Sequence, residues 1–292
     1  MQPEQTNALL HIEAGGSRTT VFAYGPEDGP TVLAVHGFRG THYGLEPLAE
    51  ALGCRGYRVL VPDLPGAGAS SPLRGTHDAV GYGAWLGELA GQLPQTKLLL
   101  GHSFGSVIVS AAIAQGTTPD GTVLINPILE PPLTGPRRFA TAAARTYYGL
   151  ARHLPRELGH WLLASKFIAG IGGSLMTSTR DPALRKWIRD EHFRQAGAFA
   201  SRDVVLESFI ASTSSTVVDF AAHVTSPTLL LGAERDPLSP PSAYSVEATG
   251  IRSGTFHVFP ERGHLLPYEE TQELSQLVAE WDRHVVDREF AA

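Results

Sequence analysis

The stretch Lys97-Leu98-Leu99-Leu100 runs straight into Gly101-His102-Ser103-Phe104-Gly105, and from there into an apolar, helix-length segment ending near Gln115. An apolar strand, a G-x-S-x-G turn and a helix, in that order, constrain this chain more than any other feature in it. The turn is so tight that the residues flanking the serine must be small, which accounts for Gly101 and Gly105. It lifts the Ser103 hydroxyl above the end of the strand and leaves the Phe104 N–H at the start of the helix. Ser103 is therefore a candidate nucleophile, set on one strand–helix unit of what must be a larger sheet.

Similar runs recur on both sides. Ala8 to Ala14 and Thr19 to Tyr24 flank G-G-S-R and read as a hairpin. Thr31 to Val35, Tyr57 to Val61, Thr122 to Asn126, Thr228 to Leu231 and Thr255 to Phe259 are apolar enough for strands buried on both faces. Tyr43 to Arg55, His77 to Leu93 and Phe104 to Gln115 have helical length and spacing. This alternation predicts an α/β fold, a mostly parallel sheet with helices on both faces and a ligand site at the carboxyl ends of the strands. One interval departs from it. From Pro127 to about Val224 there are only helical candidates: Arg137 to His153, Leu158 to Ile168, Pro182 to Phe199 and a weaker Arg202 to Ser212. The expected division is a core of residues 1–126 and 225–292 with a helical cap, or lid, at 127–224.

Composition narrows the partners. Hydrophobic residues make up 42% of the chain and charged ones 18%, enough to bury a core. A net charge of −6 without a basic run leaves little to neutralise phosphates, so nucleic acid is not expected as a partner. The single cysteine, Cys54, excludes a disulfide framework or a multi-cysteine metal site. It reads as a small buried hydrophobe within a helix. Met1 to Leu10 lacks a basic, apolar leader, and no run of ~18 uncharged apolar residues exists. The expectation is a cytoplasmic protein with no membrane span and a small-molecule substrate. Homo-oligomerisation stays open.

A serine hydroxyl needs a base, itself oriented by a carboxylate. Twelve histidines are present. His264 follows the Thr255–Phe259 run, His257 lies within it, and His284 belongs to the last helix. For the acid, Asp236 lies deepest in the loop after Thr228–Leu231. Glu234 is two residues earlier, and Glu130 follows Thr122–Asn126. The turn His36-Gly37-Phe38-Arg39-Gly40 follows another strand and can offer the Phe38 N–H, alongside that of Phe104, to an oxyanion. His36, Arg39 and His102 are the candidate substrate contacts, His36 also as a residue that stabilises the turn.

Taken together, H-G-F at His36–Phe38, D-L-P-G-A-G-A-S at Asp63–Ser70, G-H-S-F-G at Gly101–Gly105, P-T-L-L-L-G-A-E-R-D at Pro227–Asp236 and G-H at Gly263–His264 make the sequence resemble the α/β-hydrolase superfamily. The likeness is to its capped branch of esterases, C–C bond hydrolases, epoxide hydrolases and haloperoxidase-like enzymes. The order that the resemblance implies, nucleophile then acid then base, selects Ser103, Asp236 and His264, with no metal or organic cofactor. It places Asp63 in a structural loop. Ser103 stands where epoxide hydrolases and haloalkane dehalogenases carry an aspartate, and H-G-F-R lacks the proline of the usual H-G-x-P turn. The reaction implied is cleavage of a carboxylic ester or related acyl bond of a small to medium apolar substrate. A C–C bond hydrolase or cofactor-free lyase uses the same triad, whereas a non-catalytic receptor would not need all three residues. Arg39 departs furthest from the family pattern, as a cation able to meet a substrate carboxylate or an acidic cap residue. Cap aromatics such as Phe139, Tyr147, Tyr148, Trp161, Phe167 and Trp187 are expected mostly to form the cap's own core.

Overall fold

A computed structural model describes residues 8–132 and 138–286, the side chains of Ala8 and of residues 138–141 excepted. The ends of the expected core, part of the Pro127–Val224 interval and the Phe139 side chain lie outside the described residues. Eight strands form one sheet in the order β1-β2-β4-β3-β5-β6-β7-β8. They are β1 Ala8–Ala14, β2 Ser17–Tyr24, β3 Thr31–Val35, β4 Arg58–Pro62, β5 Thr96–His102, β6 Gly121–Ile125, β7 Thr228–Ala233 and β8 Gly254–Phe259. The β1–β2 hairpin is antiparallel and joins β4 antiparallel. All pairings from β4 through β3, β5, β6 and β7 to β8 are parallel. The hairpin turn is shorter than expected: only Gly15 and Gly16 lie outside the strands, and Ser17 and Arg18 already belong to β2.

The core is split by the sheet, as period-two side-chain alternation requires. Leu33, Val35, Leu99, Leu124 and Leu230 face one side, where they pack with α2 (Ala79–Gly91) and α3 (Phe104–Ala114). Val32, Ala34, Leu98, Leu100, Val123, Ile125 and Leu229 face the other, against α1 (Glu46–Gly53) and the C-terminal helix Thr271–Trp281. Strands β3, β6 and β7 are buried throughout, so they read as unbroken apolar runs. At about 1.5–3 kcal/mol for each large aliphatic side chain withdrawn from water, these residues dominate the stability of the sheet. Cys54 is the exception to its expected burial. It sits one residue past α1, whose buried face ends at Gly53, and is exposed.

Between β6 and β7 the described residues make five α-helices, α4 Arg138–His153, α5 Arg156–Leu163, α6 Lys166–Met176, α7 Pro182–Gln195 and α8 Arg202–Ser214, and a 3-10 turn at Val218–His223. The expected single helix Leu158–Ile168 is two, because Ser165 takes an extended backbone (φ −63°, ψ 115°) between α5 and α6. Asp181 caps α7 by accepting from Ala183 N, and Ser201 caps α8 by accepting from Val204 N. These helices rest on loops at the carboxyl ends of the strands. Gly68 N donates to Ala198 O (2.9 Å) and Ala200 N to Gly66 O (2.9 Å), while Thr41 N donates to Gln195 Oε1 (3.0 Å). Where the excursion begins and ends it is pinned: Val217 N donates to Ile128 O (2.8 Å) and Ser239 Oγ to Pro127 O (2.6 Å). Tyr147 and Tyr148 pack inside this group as expected, but Trp161 and Phe167 are each 74% exposed. Short helices α9 (Val246–Thr249) and α10 (Leu266–Glu269) precede α11, the Thr271–Trp281 helix already described.

Candidate active site

Ser103 joins β5 to α3 with φ 54° and ψ −121°, a conformation that non-glycine residues adopt at a cost of order 1–3 kcal/mol. Neighbouring bonds impose it. Ser103 N donates to Ile125 O (3.0 Å), Ser106 N to Ser103 O (2.9 Å), and Ser106 Oγ to the same carbonyl (2.5 Å). The flanking glycines are steric requirements: a Cβ on Gly101 would lie 2.5 Å from Gly105 O, and one on Gly105 2.2 Å from Val35 O. Both obstacles are backbone and cannot swing away. Gly105→Ala should therefore cost about 3 kcal/mol or more, lowering Tm by roughly 5–10 °C in a thermal melt. A melt within 1 °C of the parent would contradict this packing.

Three loops at the carboxyl ends of β5, β7 and β8 bring Ser103, Asp236 and His264 together, all of them buried. His264 Nε2 is 2.7 Å from Ser103 Oγ, and His264 Nδ1 lies 2.9 Å and 3.0 Å from the two Asp236 oxygens. Burial alone would raise the Asp236 pKa, but the charge and hydrogen bond of His264, with Leu238 N and Asn126, outweigh it and hold it below the ordinary carboxylate value. The acid is thus ionised wherever the protein is folded at neutral pH. The rivals lie elsewhere. Glu130 is exposed, and Glu234 accepts from Glu261 N at 2.8 Å, capping the turn after β8. His257 packs beside Phe259 on β8, and His284 is exposed in the helical turn Asp282–Val286.

Sequence reasoning missed Asn126. It follows β6 with φ 45°, donates through Nδ2 to Asp236 Oδ2 (2.9 Å) and to Gly263 O (3.3 Å), and so ties the loop of Asp236 to the loop of His264. Its only signal in the sequence is an amide side chain ending the run T-V-L-I.

The H-G-F-R turn lies against the serine. A Cβ on Gly37 would come within 3.0 Å of Ser103 Cβ, so the backbone approaches closely there. No protein acceptor takes the N–H of Phe38 or of Phe104 among the described residues, which leaves two adjacent donors for an anionic oxygen. His36 is spent inside the protein. Leu64 N donates to Nε2 (3.0 Å), so Nδ1 carries the proton and donates to Gly37 O (2.9 Å). Burial lowers its pKa. Asp63 accepts from the backbone and ring of His42 and from Ala69 N, which binds the loop after β4 and leaves no oxygen for chemistry. Arg39, with φ 64°, donates from Nη2 to Leu163 O (2.6 Å) and lies 5.2 Å above the Phe199 ring.

His102, expected to touch substrate, instead donates from Nε2 to the backbone oxygen of His264 (3.1 Å) and steadies the base from behind. Burial, then the neighbouring His264, push its pKa down to about 3. The unfolded chain protonates such a ring near 6.5, so the folded state gains nothing from protons it cannot take up. Stability is whole above pH 6.5 and falls as the pH drops below it, by up to ~1.4 kcal/mol per pH unit for this one group. Tm measured from pH 7 down to pH 5 should decline, and His102→Gln should flatten the decline. An unchanged slope in the variant would remove His102 as a cause.

Against the H-G-F-R turn and Phe104, a cavity of about 40 Å³ is walled by Phe38, Arg39, Tyr82, Phe104, Phe199 and Val205. No group of three His, Cys, Asp or Glu residues suited to a metal occurs among the described residues. None of the described helices is long and apolar enough to cross a membrane.

Comparison with known proteins adds the following. A model of the alpha/beta hydrolase family matches residues 32–277. The magnesium-chelatase 30 kDa subunit of Rhodobacter capsulatus is 35% identical over 108 residues, covering 36% of this chain and 37% of that protein. A thermostable monoacylglycerol lipase of Bacillus sp. (strain H-257) is 37% identical over 141 residues, covering 45% and 50%. The chain thus spans half or less of the length of these curated relatives. A solved thermophilic esterase from Thermogutta terrifontis superposes with a TM-score of 0.70 at 24% identity, covering 94% of this chain and 98% of that one, a likeness of fold.

Proposed function

The chain belongs to the alpha/beta hydrolase family, and on that premise we propose that it is a serine hydrolase of carboxylic esters or related acyl bonds, working through an acyl-enzyme. The observation that carries the proposal is the unbroken chain Ser103 Oγ to His264 Nε2 at 2.7 Å and His264 Nδ1 to Asp236 at 2.9 Å. His264 Nε2 takes the hydroxyl proton as Oγ bonds to the acyl carbon. The oxygen that gains charge is held by the Phe38 and Phe104 N–H groups. As the tetrahedral species collapses, the bond to the alcohol oxygen breaks and that oxygen leaves with the proton from His264. A water then gives a proton to His264 and its oxygen to the acyl carbon. Ser103 recovers its proton as the carboxylic acid departs. Each step balances without a metal or organic cofactor.

The small, mostly apolar cavity walled by Phe38 and Phe104, whose amides face the oxyanion, supports a short acyl group, and the lipase among the relatives supports an ester. The segment 127–224 serves as the cap. Its helices and the turns between them meet the loops after β3, β4 and β8, around the mouth of the site, and so set which substrates reach Ser103. An organophosphonate probe and a series of p-nitrophenyl esters of increasing chain length test the proposal, with vinylogous diketones alongside. Stoichiometric labelling of Ser103 and ester turnover favouring short chains are expected. Turnover of the diketones with inert esters would instead make it a C–C bond hydrolase, and no labelling would remove the serine mechanism.

A further inference from the structure

Arg39 carries a positive charge into the side of the site without a counter-ion among the described residues. It is half-buried, one residue past Phe38, and none of the described carboxylates pairs with it. Its guanidinium has two partners, the Leu163 carbonyl through Nη2 and the face of Phe199. The other terminal nitrogen, Nη1, is buried and has no hydrogen-bond partner at all. A buried donor left unmade costs about 1–3 kcal/mol, more when it is charged, and folded proteins rarely carry one without a use. The Tyr147 and Tyr148 hydroxyls are near enough to feel the Arg39 charge, yet neither bonds to Nη1. Gln195 accepts from Thr41 N and donates to Tyr268, and Ser208 is bonded to Val204 O and Tyr82. The same cavity is walled by Arg39 and by both phenylalanines whose amides face the oxyanion. At about 40 Å³ it exceeds the ~10–15 Å³ that one water needs and suits the end of a short chain.

Resting on the serine-hydrolase reading, we propose that the substrates are half-esters of short dicarboxylic acids, whose free carboxylate at the far end of the acyl chain pairs with Arg39 while the ester carbonyl lies at Ser103. A guanidinium gives a carboxylate charge-assisted, often bidentate bonds, and in a cavity with apolar walls these are little screened. Neutral acyl chains of the same length leave the Nη1 donor unmade.

The test compares mono-p-nitrophenyl glutarate with p-nitrophenyl pentanoate, equal in chain length and different in charge. The wild-type kcat/KM should favour the glutarate. Arg39→Met should lower the glutarate-to-pentanoate ratio by ten- to a hundredfold, and Arg39→Lys by less. Binding is read separately by calorimetry of monoethyl glutarate on Ser103→Ala, with and without Arg39→Met, so the answer does not depend on turnover. At least tenfold weaker binding in the double variant is expected. Should Ser103→Ala still hydrolyse esters, the serine reading fails while the calorimetry still judges Arg39. Equal losses on both esters with a lowered Tm would make Arg39 a strut between the turn and α5, and would overturn the proposal. So would an unchanged ratio, or a preference for a carboxylate on the alcohol side, read with 4-acetoxybenzoate against phenyl acetate.

Discussion

Ser103→Ala is expected to lower kcat on the best ester by 10⁴-fold or more and to abolish organophosphonate labelling, with Tm moved by no more than a few degrees. In the proposed mechanism the hydroxyl supplies the bond that splits the reaction in two. Without it only the oxyanion donors and binding remain, and such remnants accelerate ester hydrolysis a mere 10³–10⁴-fold over water. Stability should be nearly indifferent, because the strained backbone at Ser103 is held by main-chain bonds and by Ser106, none of which uses the Ser103 side chain. Retention of a tenth of the parent turnover would place the nucleophile elsewhere.

Asp236→Asn should cost roughly 10³–10⁴-fold in kcat, by a different route. Every group around this carboxylate is a donor: Leu238 N at Oδ1, Asn126 Nδ2 at Oδ2, and His264 Nδ1 at both. An asparagine amide NH₂ must face one of them. Turned to His264, it leaves Nδ1 as the acceptor and puts the ring proton on Nε2, where it blocks the base; turned to the others, it leaves two donors in conflict. Glu130→Gln and Glu234→Gln, which change carboxylates outside this contact, should keep activity within about twofold. If Glu130→Gln were crippling and Asp236→Asn mild, the acid would lie after β6.

The middle of the sheet was readable in the sequence because β3, β6 and β7 are buried on both faces, and each expected run, those of the more exposed edges included, lies within a residue or two of a real one. The serine turn was readable because sterics allow few residues at Gly101 and Gly105. What stayed hidden depends on direction in space. An imidazole beside the nucleophile reads as a substrate contact, yet His36 and His102 direct their nitrogens to protein partners. Asn126 looked like a strand end, because its partners lie 110 and 137 residues further along the chain. The break between α5 and α6 has no glycine or proline to announce it.

The pinned excursion between β6 and β7 has a consequence in chain entropy. Strands β6 and β7 pair from Thr122–Thr228 to Ile125–Leu231, and the bonds of Val217 to Ile128 and Ser239 to Pro127 close the neck just beyond them. Once an excursion is closed at its neck, doubling its length adds only about 0.6 kcal/mol of closure entropy. In closure entropy, the sheet therefore hardly registers how many residues hang from that point. Insertions or deletions between the helices of residues 138–214 can come at little entropic cost while β6 and β7 keep their register, provided that the α8 side chains packed on the core, such as Ala211 and Ser208, are kept.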